Sequence, residues 1–370
     1  MSRFLIAAIA VVAPAEAGTA IGQEAAGSPV GYVYVANQGA ATVSVIDPFV
    51  DRVIRTIDLQ ALGYTANAKP HHVAVEPDGT ALYVSLIGDG FVVKLGPDGT
   101  QLGRAPFEAP GMLALDPHSE SLWVGRSMMA VSPPQRIGRI DRSDMVIEEV
   151  DVFFDRPHAL ALSPDGRHVY SASLAGNDIA AIDVADERVQ PTRLDGPTHV
   201  FVQFAMAPDG RAMVTGGELT STLLVLDLGD PMRPVPVADL EVGALPWHPV
   251  FSPDGARVYV GNRGANTVTV IRTSDWQVEA VIEDPSFAEP HGSAITTDGR
   301  KLYVSNRNVR DPMAGAGEER MSHADMSHGD AAGPTRPGRV SVIDTSSLEV
   351  VATIETGAYA AGMGTATPLR

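Results

Sequence analysis

The chain has 370 residues and a formal charge of −18, with 27 basic and 45 acidic side chains. It contains no cysteine, which excludes disulfides, zinc ribbons, iron–sulfur clusters, thioether-linked haem, thiolate copper centres and cysteine nucleophiles. The acidic balance argues against nucleic acid or an anionic membrane as partner, and 44% hydrophobic residues suit a globular domain rather than a disordered chain.

The first 17 residues read as a signal peptide. Arg3 supplies the positive start, Phe4 to Val12 a short apolar run, and Ala15-Glu16-Ala17 a cleavage site. The apolar run falls short of the ~20 residues that span a bilayer. Residues 18–30 form a small-residue lead-in. The expectation is an exported protein, periplasmic or secreted, with no membrane insertion.

From residue 31 to 370 the chain is periodic. In phase with the repeat, the triplet Pro-Asp-Gly occurs at 77–79, 164–166, 208–210 and 253–255, with degenerate copies Pro117-His118-Ser119 and Thr297-Asp298-Gly299. The central positions are spaced by 40, 47, 44, 45 and 44 residues. Each triplet sits between two short runs rich in Val, Ile, Thr and Tyr, which is hairpin chemistry. In the sixth repeat the runs are 248–252, 257–261, 267–272 and 277–282. Four strands at this period make a propeller blade. Six complete units start near 71, 111, 158, 199, 248 and 291. Three strands precede them, at 32–37, 42–47 and 52–59, and one follows, at 361–368. Three and one complete a seventh blade, so the sequence predicts an all-β, seven-bladed β-propeller whose C-terminal strand closes the first blade and removes an open sheet edge.

Tyr34-Val35-Ala36-Asn37, Tyr259-Val260-Gly261-Asn262 and Tyr303-Val304-Ser305-Asn306 resemble the Y-V-T-N signature of the YVTN family of β-propellers. The Thr-Val-Ser-Val-Ile-Asp at 42–47 and Val-Ser-Val-Ile-Asp at 340–344 match the strand that follows it in that family. The resemblance implies the propeller fold over nearly the whole mature chain. It leaves function open, since related propellers include surface-layer proteins, lactonases, haem d1 domains and binding scaffolds.

The histidines recur in phase with the repeat. His71, His158 and His291 each lie six residues before the first residue of a turn triplet, His72 and His248 five, and His199 nine. Five of the seven inner strands therefore begin with histidine. The other two offer methionine: Met112 in Ala109-Pro110-Gly111-Met112 and Met363 in Ala360-Ala361-Gly362-Met363. Inner strands line the axial channel, so equivalent positions converge on one mouth. Imidazole and thioether together form a soft donor set that favours copper. The arrangement resembles the histidine ring of the nitrous oxide reductase propeller. The absent cysteine-bearing copper domain, the two methionines and the shorter chain depart from that enzyme, so its reaction is not implied.

Blade seven carries an insertion, 309–337, in which Met321-Ser322-His323 repeats as Met326-Ser327-His328, with Met313 upstream. Such a Met/His tract suits metal capture. It is a B–C loop, which lies on the same face as the starts of the inner strands, and the B–C loop of blade three adds Met128 and Met129. No P-loop, H-E-x-x-H, G-x-S-x-G or EF-hand pattern occurs.

The sequence therefore points to a monomeric, exported propeller that binds copper at the channel mouth, either to handle the metal or as a small copper oxidoreductase. Three alternatives stay open: a metal-free scaffold for a periplasmic protein partner, a lactonase-type hydrolase, and a haem d1-binding propeller. The residue pattern does not decide whether the protein is an enzyme.

Overall fold

A computed structural model describes residues 31–127, 134–309 and 336–366. Within them the chain folds into seven four-stranded antiparallel sheets. Blade one is assembled from both ends of the chain, in the order Ala360–Thr365, Val33–Asn37, Thr42–Asp47 and Arg52–Asp58. The inner strands of blades two to seven are Pro70–Val75, Pro110–Leu115, Pro157–Leu162, Phe201–Met206, Pro246–Phe251 and Pro290–Ile295. Each packs on the next, and that of blade seven packs on Ala360–Thr365, so the ring is closed.

The second strand of every blade is buried, apart from its first residue in blades four to seven, as in Leu82–Leu86 and Lys301–Asn306. Period-2 alternation still matters, because successive side chains enter different inter-blade cores. Leu82, Val84 and Leu86 pack with Tyr34, Val43 and Val45 of blade one, whereas Tyr83 packs with Leu113, Leu122 and Val124 of blade three. The outer strands are half exposed and alternate, as in Arg52–Asp58. This division explains the near-continuous apolar runs of inner strands and the polar character of outer ones.

One conformational feature repeats in every blade. The residue just before the inner strand is left-handed: Lys69, Ala109, Arg156, Val200, Leu245, Glu289 and Tyr359 have φ between 46° and 60°. Proline then opens the strand in blades two, three, four, six and seven, and the pairing is irregular over the next residues. This left-handed residue marks equivalent positions better than the turn triplet does. It shows that the inner strand of blade five starts at Phe201 and is no longer than the others. His199 therefore sits in the loop two residues before that strand, not at its start, which corrects the expectation for that histidine.

The junction of blades seven and one is cross-linked. Lys301 Nζ contacts Asp51 Oδ2 at 2.6 Å and the Pro48 carbonyl at 2.8 Å, the Tyr303 hydroxyl donates to Asp51, and Ser305 Oγ donates to the Ala361 carbonyl. Met363 pairs with Val35 and is buried with Val33, Ile46 and Tyr303 in the core between these blades. Removing residues 358–370 opens two sheet edges and this core together. Thermal unfolding of the truncated protein should show a midpoint at least about 10 °C lower than that of the full chain. An unchanged midpoint would contradict closure by the C-terminal strand.

Candidate metal centre

The site is built at the end of the channel where inner strands begin. Counted from the left-handed residue, the second position holds His71 in blade two, His158 in blade four, Trp247 in blade six and His291 in blade seven. The third position holds His72 in blade two and His248 in blade six. Small residues separate them: Gly111 of blade three lies between His71 and His158, and Ala361 and Gly362 of blade one lie between His71 and His291. A Cβ on Gly111 would come within 2.8 Å of His158 Nδ1, and one on Gly362 within 2.4 Å of the His71 carbonyl. Missing side chains at these points let histidines from non-adjacent blades touch.

Five imidazoles form one contiguous cluster. Ring centroids are 5.5 Å apart for His71 and His158, 5.9 Å for His71 and His291, 4.8 Å for His248 and His291, and 6.1 Å for His72 and His248. His71, His158, His248 and His291 are buried, and His72 is half-buried. Imidazoles bound to one ion at ~2.0–2.1 Å have ring centres about 4.5–6.4 Å apart, depending on the angle between them. The observed separations lie within that span. As the rings stand, however, no group of three or more His, Asp or Glu side chains among the described residues is disposed to hold a metal ion.

Hydrogen bonds assign two tautomers. His158 Nδ1 lies 2.7 Å from the Arg126 carbonyl, which can only accept, so Nδ1 carries the proton and Nε2 the lone pair. The backbone there is pinned, because the buried Arg126 guanidinium is held by the Glu108 and Arg136 carbonyls and by Glu149. This is the outer-shell arrangement that fixes the orientation of metal-binding histidines. In His72 the sense is reversed: the Leu113 N–H donates to Nδ1 at 3.3 Å, leaving the proton of the neutral ring on Nε2. Burial lowers the His72 pKa to about 4, since the channel interior solvates an imidazolium poorly.

Three other sequence candidates lie elsewhere. Met112 is buried with Trp123, Ile137, Phe154 and Leu160 in the core between blades three and four. Met363 is likewise a core residue, between blades seven and one. Inner-strand side chains alternate between the two flanking cores, so a methionine near the strand start is as readily absorbed by packing as presented to the axis. His199 stacks on Phe201 at 5.5 Å and 15°, its Nδ1 lies 2.8 Å from Thr220 Oγ1, and burial lowers its pKa. It is not part of the cluster. Met128, Met129, Met313, Met321, His323, Met326 and His328, and the signal peptide and lead-in, lie outside the described residues. The insertion leaves and re-enters at the histidine mouth: the Val309 N–H donates to Glu289, and Asn308 Nδ2 donates to the Pro337 carbonyl.

Sequence reasoning missed a second layer around His291. Trp247 meets it edge-on at 4.6 Å, and the Tyr359 ring is 6.5 Å away. The Arg263 guanidinium lies 4.5 Å over Trp247 and that of Arg307 4.2 Å over Tyr359. Trp247 Nε1 donates to Glu218 Oε1 at 3.0 Å, and Arg263 stands 4.0 Å from the same oxygen. Arg263 and Arg307 each directly follow a Y-V-x-N word, at 259–262 and 303–306, but nothing in the sequence sets them apart from surface arginines.

No family model matches the chain, and no curated protein matches it by sequence. Among solved structures it is similar to a functionally unknown protein from Desulfotomaculum acetoxidans, with 15% identity and a TM-score of 0.70 over 91% of this chain and 99% of that one. It is also similar to hydrazine synthase from Kuenenia stuttgartiensis, with 19% identity and a TM-score of 0.60 over 80% of this chain and 89% of that one. Both likenesses concern the fold. No helix among the described residues is long and apolar enough to cross a membrane.

The depressed His72 pKa has a stability consequence with a definite sign. Unfolded, this histidine takes up a proton near pH 6.5; folded, it resists until about pH 4. The unfolded state therefore binds more protons in that window, and stability falls as the pH drops through it. Urea unfolding of His72→Gln should show an acid limb between pH 6.5 and 4 that is shallower by roughly 1–3 kcal/mol in total than in the parent protein. Parallel limbs would show that His72 is solvated enough to ionise normally.

Proposed function

We propose that this protein is an exported propeller of the YVTN type that binds a transition metal through the histidine cluster at its channel mouth. The observation that carries the reading is the contiguous set of five imidazoles contributed by blades two, four, six and seven. A propeller needs no histidine at these positions: blade five has Val202 and Gln203, and blade one has Ala361 and Gly362. Burying several imidazoles together is costly for their charged forms but suits their neutral, metal-binding forms.

His71, His158, His248 and His291 would hold the ion, with His158 oriented by the Arg126 carbonyl. His72 is the least suited, because its Nδ1 already accepts from the backbone. Side-chain rotation would bring the nitrogens to a common point. With Met112 and Met363 placed in cores, the donor set is all imidazole. Such a set suits copper, zinc, nickel or iron, and among divalent ions copper binds most tightly in the Irving–Williams order. The Met/His tract of the 309–337 insertion, whose stems flank the mouth, favours copper further. A bound copper ion would supply a redox-active centre; the residues around it supply orientation and exclusion of water. The positive start, apolar run and A-x-A site of residues 1–17 support export.

Copper titration of the full mature chain tests the reading. Parent protein should hold copper tightly. Replacing His158 and His291 together with alanine should weaken that binding at least 100-fold while sparing weak sites. Deleting residues 313–333 should leave tight binding intact and lower only the number of weakly bound ions, since ordering a loose segment costs ~1–2 kcal/mol per residue. Loss of all copper on loop deletion alone would move the site to the insertion and leave the histidines as a channel lining.

A further inference from the structure

We propose that the crevice between blades six and seven, at the end of the propeller opposite the histidines, binds a neutral polyhydroxy ligand such as a sugar. The inner strand Pro246–Phe251 starts at the histidine mouth and ends at this crevice, in the 252–255 turn. The crevice has a volume of about 600 Å³ and is lined by Asp254, Arg257, Tyr259, Glu279, Asp298 and Thr345 among others. That size suits a small-molecule site. The repeat supplies its own comparison. Tyr83, Tyr259 and Tyr303 each stand five residues after the aspartate of their turn triplet. The Tyr83 hydroxyl donates to Glu76, which Arg142 also holds, and the Tyr303 hydroxyl donates to Asp51, which Lys301 also holds. Blade six keeps a tyrosine and a cation, Arg257, but has neither acceptor. Ser252 stands where Glu76 does, directly before the triplet, and its hydroxyl is spent on Asp254 at 2.5 Å. Leu348 of blade seven stands where Asp51 of blade one does, as the left-handed residue that ends the turn before the outer strand. Its side chain packs on the core that holds Tyr259.

Tyr259 is only 1% exposed, yet its hydroxyl donates to no acceptor among the described residues. Arg257 lies beside it, but a guanidinium accepts nothing. In blade four the equivalent Tyr170 hydroxyl is sealed in a core, whereas Tyr259 lines the crevice. Charge and hydrogen-bonding capacity then select the ligand. The basic groups are already paired: Glu279 takes Nε and Nη2 of Arg257, the Thr345 carbonyl takes its Nη1, and Asp275 takes Arg272. Asp254 and Asp298 stand exposed in their turns, each accepting from its own turn through Oδ1. Hydrogen bonds from Ser252 and Thr296 hold these two carboxyls below the usual carboxylate range, so both are ionised at neutral pH. Three carboxylates against two paired guanidiniums disfavour an anion. A bare cation would meet the carboxylates but leave the Tyr259 proton without an acceptor. A polyhydroxy ligand serves both, with one oxygen accepting from Tyr259 and neighbouring hydroxyls donating to Asp254 and Asp298.

Calorimetric titration of the full mature chain with glucose, galactose, mannose and N-acetylglucosamine tests the proposal. At least one should bind saturably, with a dissociation constant on the order of 0.1–10 mM. Tyr259→Phe keeps the buried ring and removes only the donor, and should weaken that binding at least five-fold in a folded protein. Asp254→Asn, at an exposed turn, should weaken it at least five-fold as well. Asp165→Asn, the same change in the turn of blade four, should leave it as in the parent. Metal-stripped and copper-loaded protein should bind the sugar alike, which separates this site from the histidine mouth. The proposal is overturned if none of the four sugars binds, if Tyr259→Phe binds like the parent, or if sodium acetate or putrescine binds at least as tightly as the best sugar.

Discussion

The pairing of Ala360–Thr365 with Val33–Asn37 is the contact on which the rest of the molecule depends. It closes the ring, and it also shapes the site. Ala361 and Gly362 on that strand lie between blades seven and two, and a Cβ at Gly362 would collide with the His71 backbone and the His72 ring. The closing strand therefore has to be small where it passes the axis. That requirement lets His71 reach His291 across an intervening blade. Tyr359, one residue before the strand, brings an aromatic face to the arginine layer. Ring closure and the shape of the site thus depend on the same strand.

The charge economy at the mouth follows from burial. Imidazole can be neutral at little cost, so five of them can be gathered in a buried cluster; at His72 burial lowers the pKa to about 4. Guanidinium has no such option near neutral pH, so Arg263 and Arg307 need aromatic faces and nearby carboxylates to remain buried.

Much of the architecture was legible because repetition amplifies weak signals. One Pro-Asp-Gly is a turn; several, with their degenerate copies, at 40–47 residues, with three strands before and one after, count seven blades and imply closure. The phase of His71, His72, His158, His248 and His291 was legible for the same reason. His199 misled because its distance was measured from the turn triplet, whereas strand onset is set by the left-handed residue, which in blade five is Val200 followed by Phe201 instead of proline. Met112 and Met363 misled because an inner strand feeds two cores as well as the channel: Met363 stands one position past the histidines, and Met112, at the same position as His72 and His248, is packed into the core between blades three and four. Arg263 and Arg307 were hidden in plain turn sequence after the Y-V-x-N words; only burial and stacking distinguish them from surface arginines.

X-ray absorption at the copper edge of the mature chain loaded with less than one equivalent of copper, so that only the tight site fills, is the most direct test of the central claim. A site in the histidine cluster predicts a first shell of nitrogen at ~2.0 Å with the multiple-scattering pattern of imidazole and no sulfur. A shell containing thioether sulfur would contradict it, because every methionine described near the channel is packed into a core.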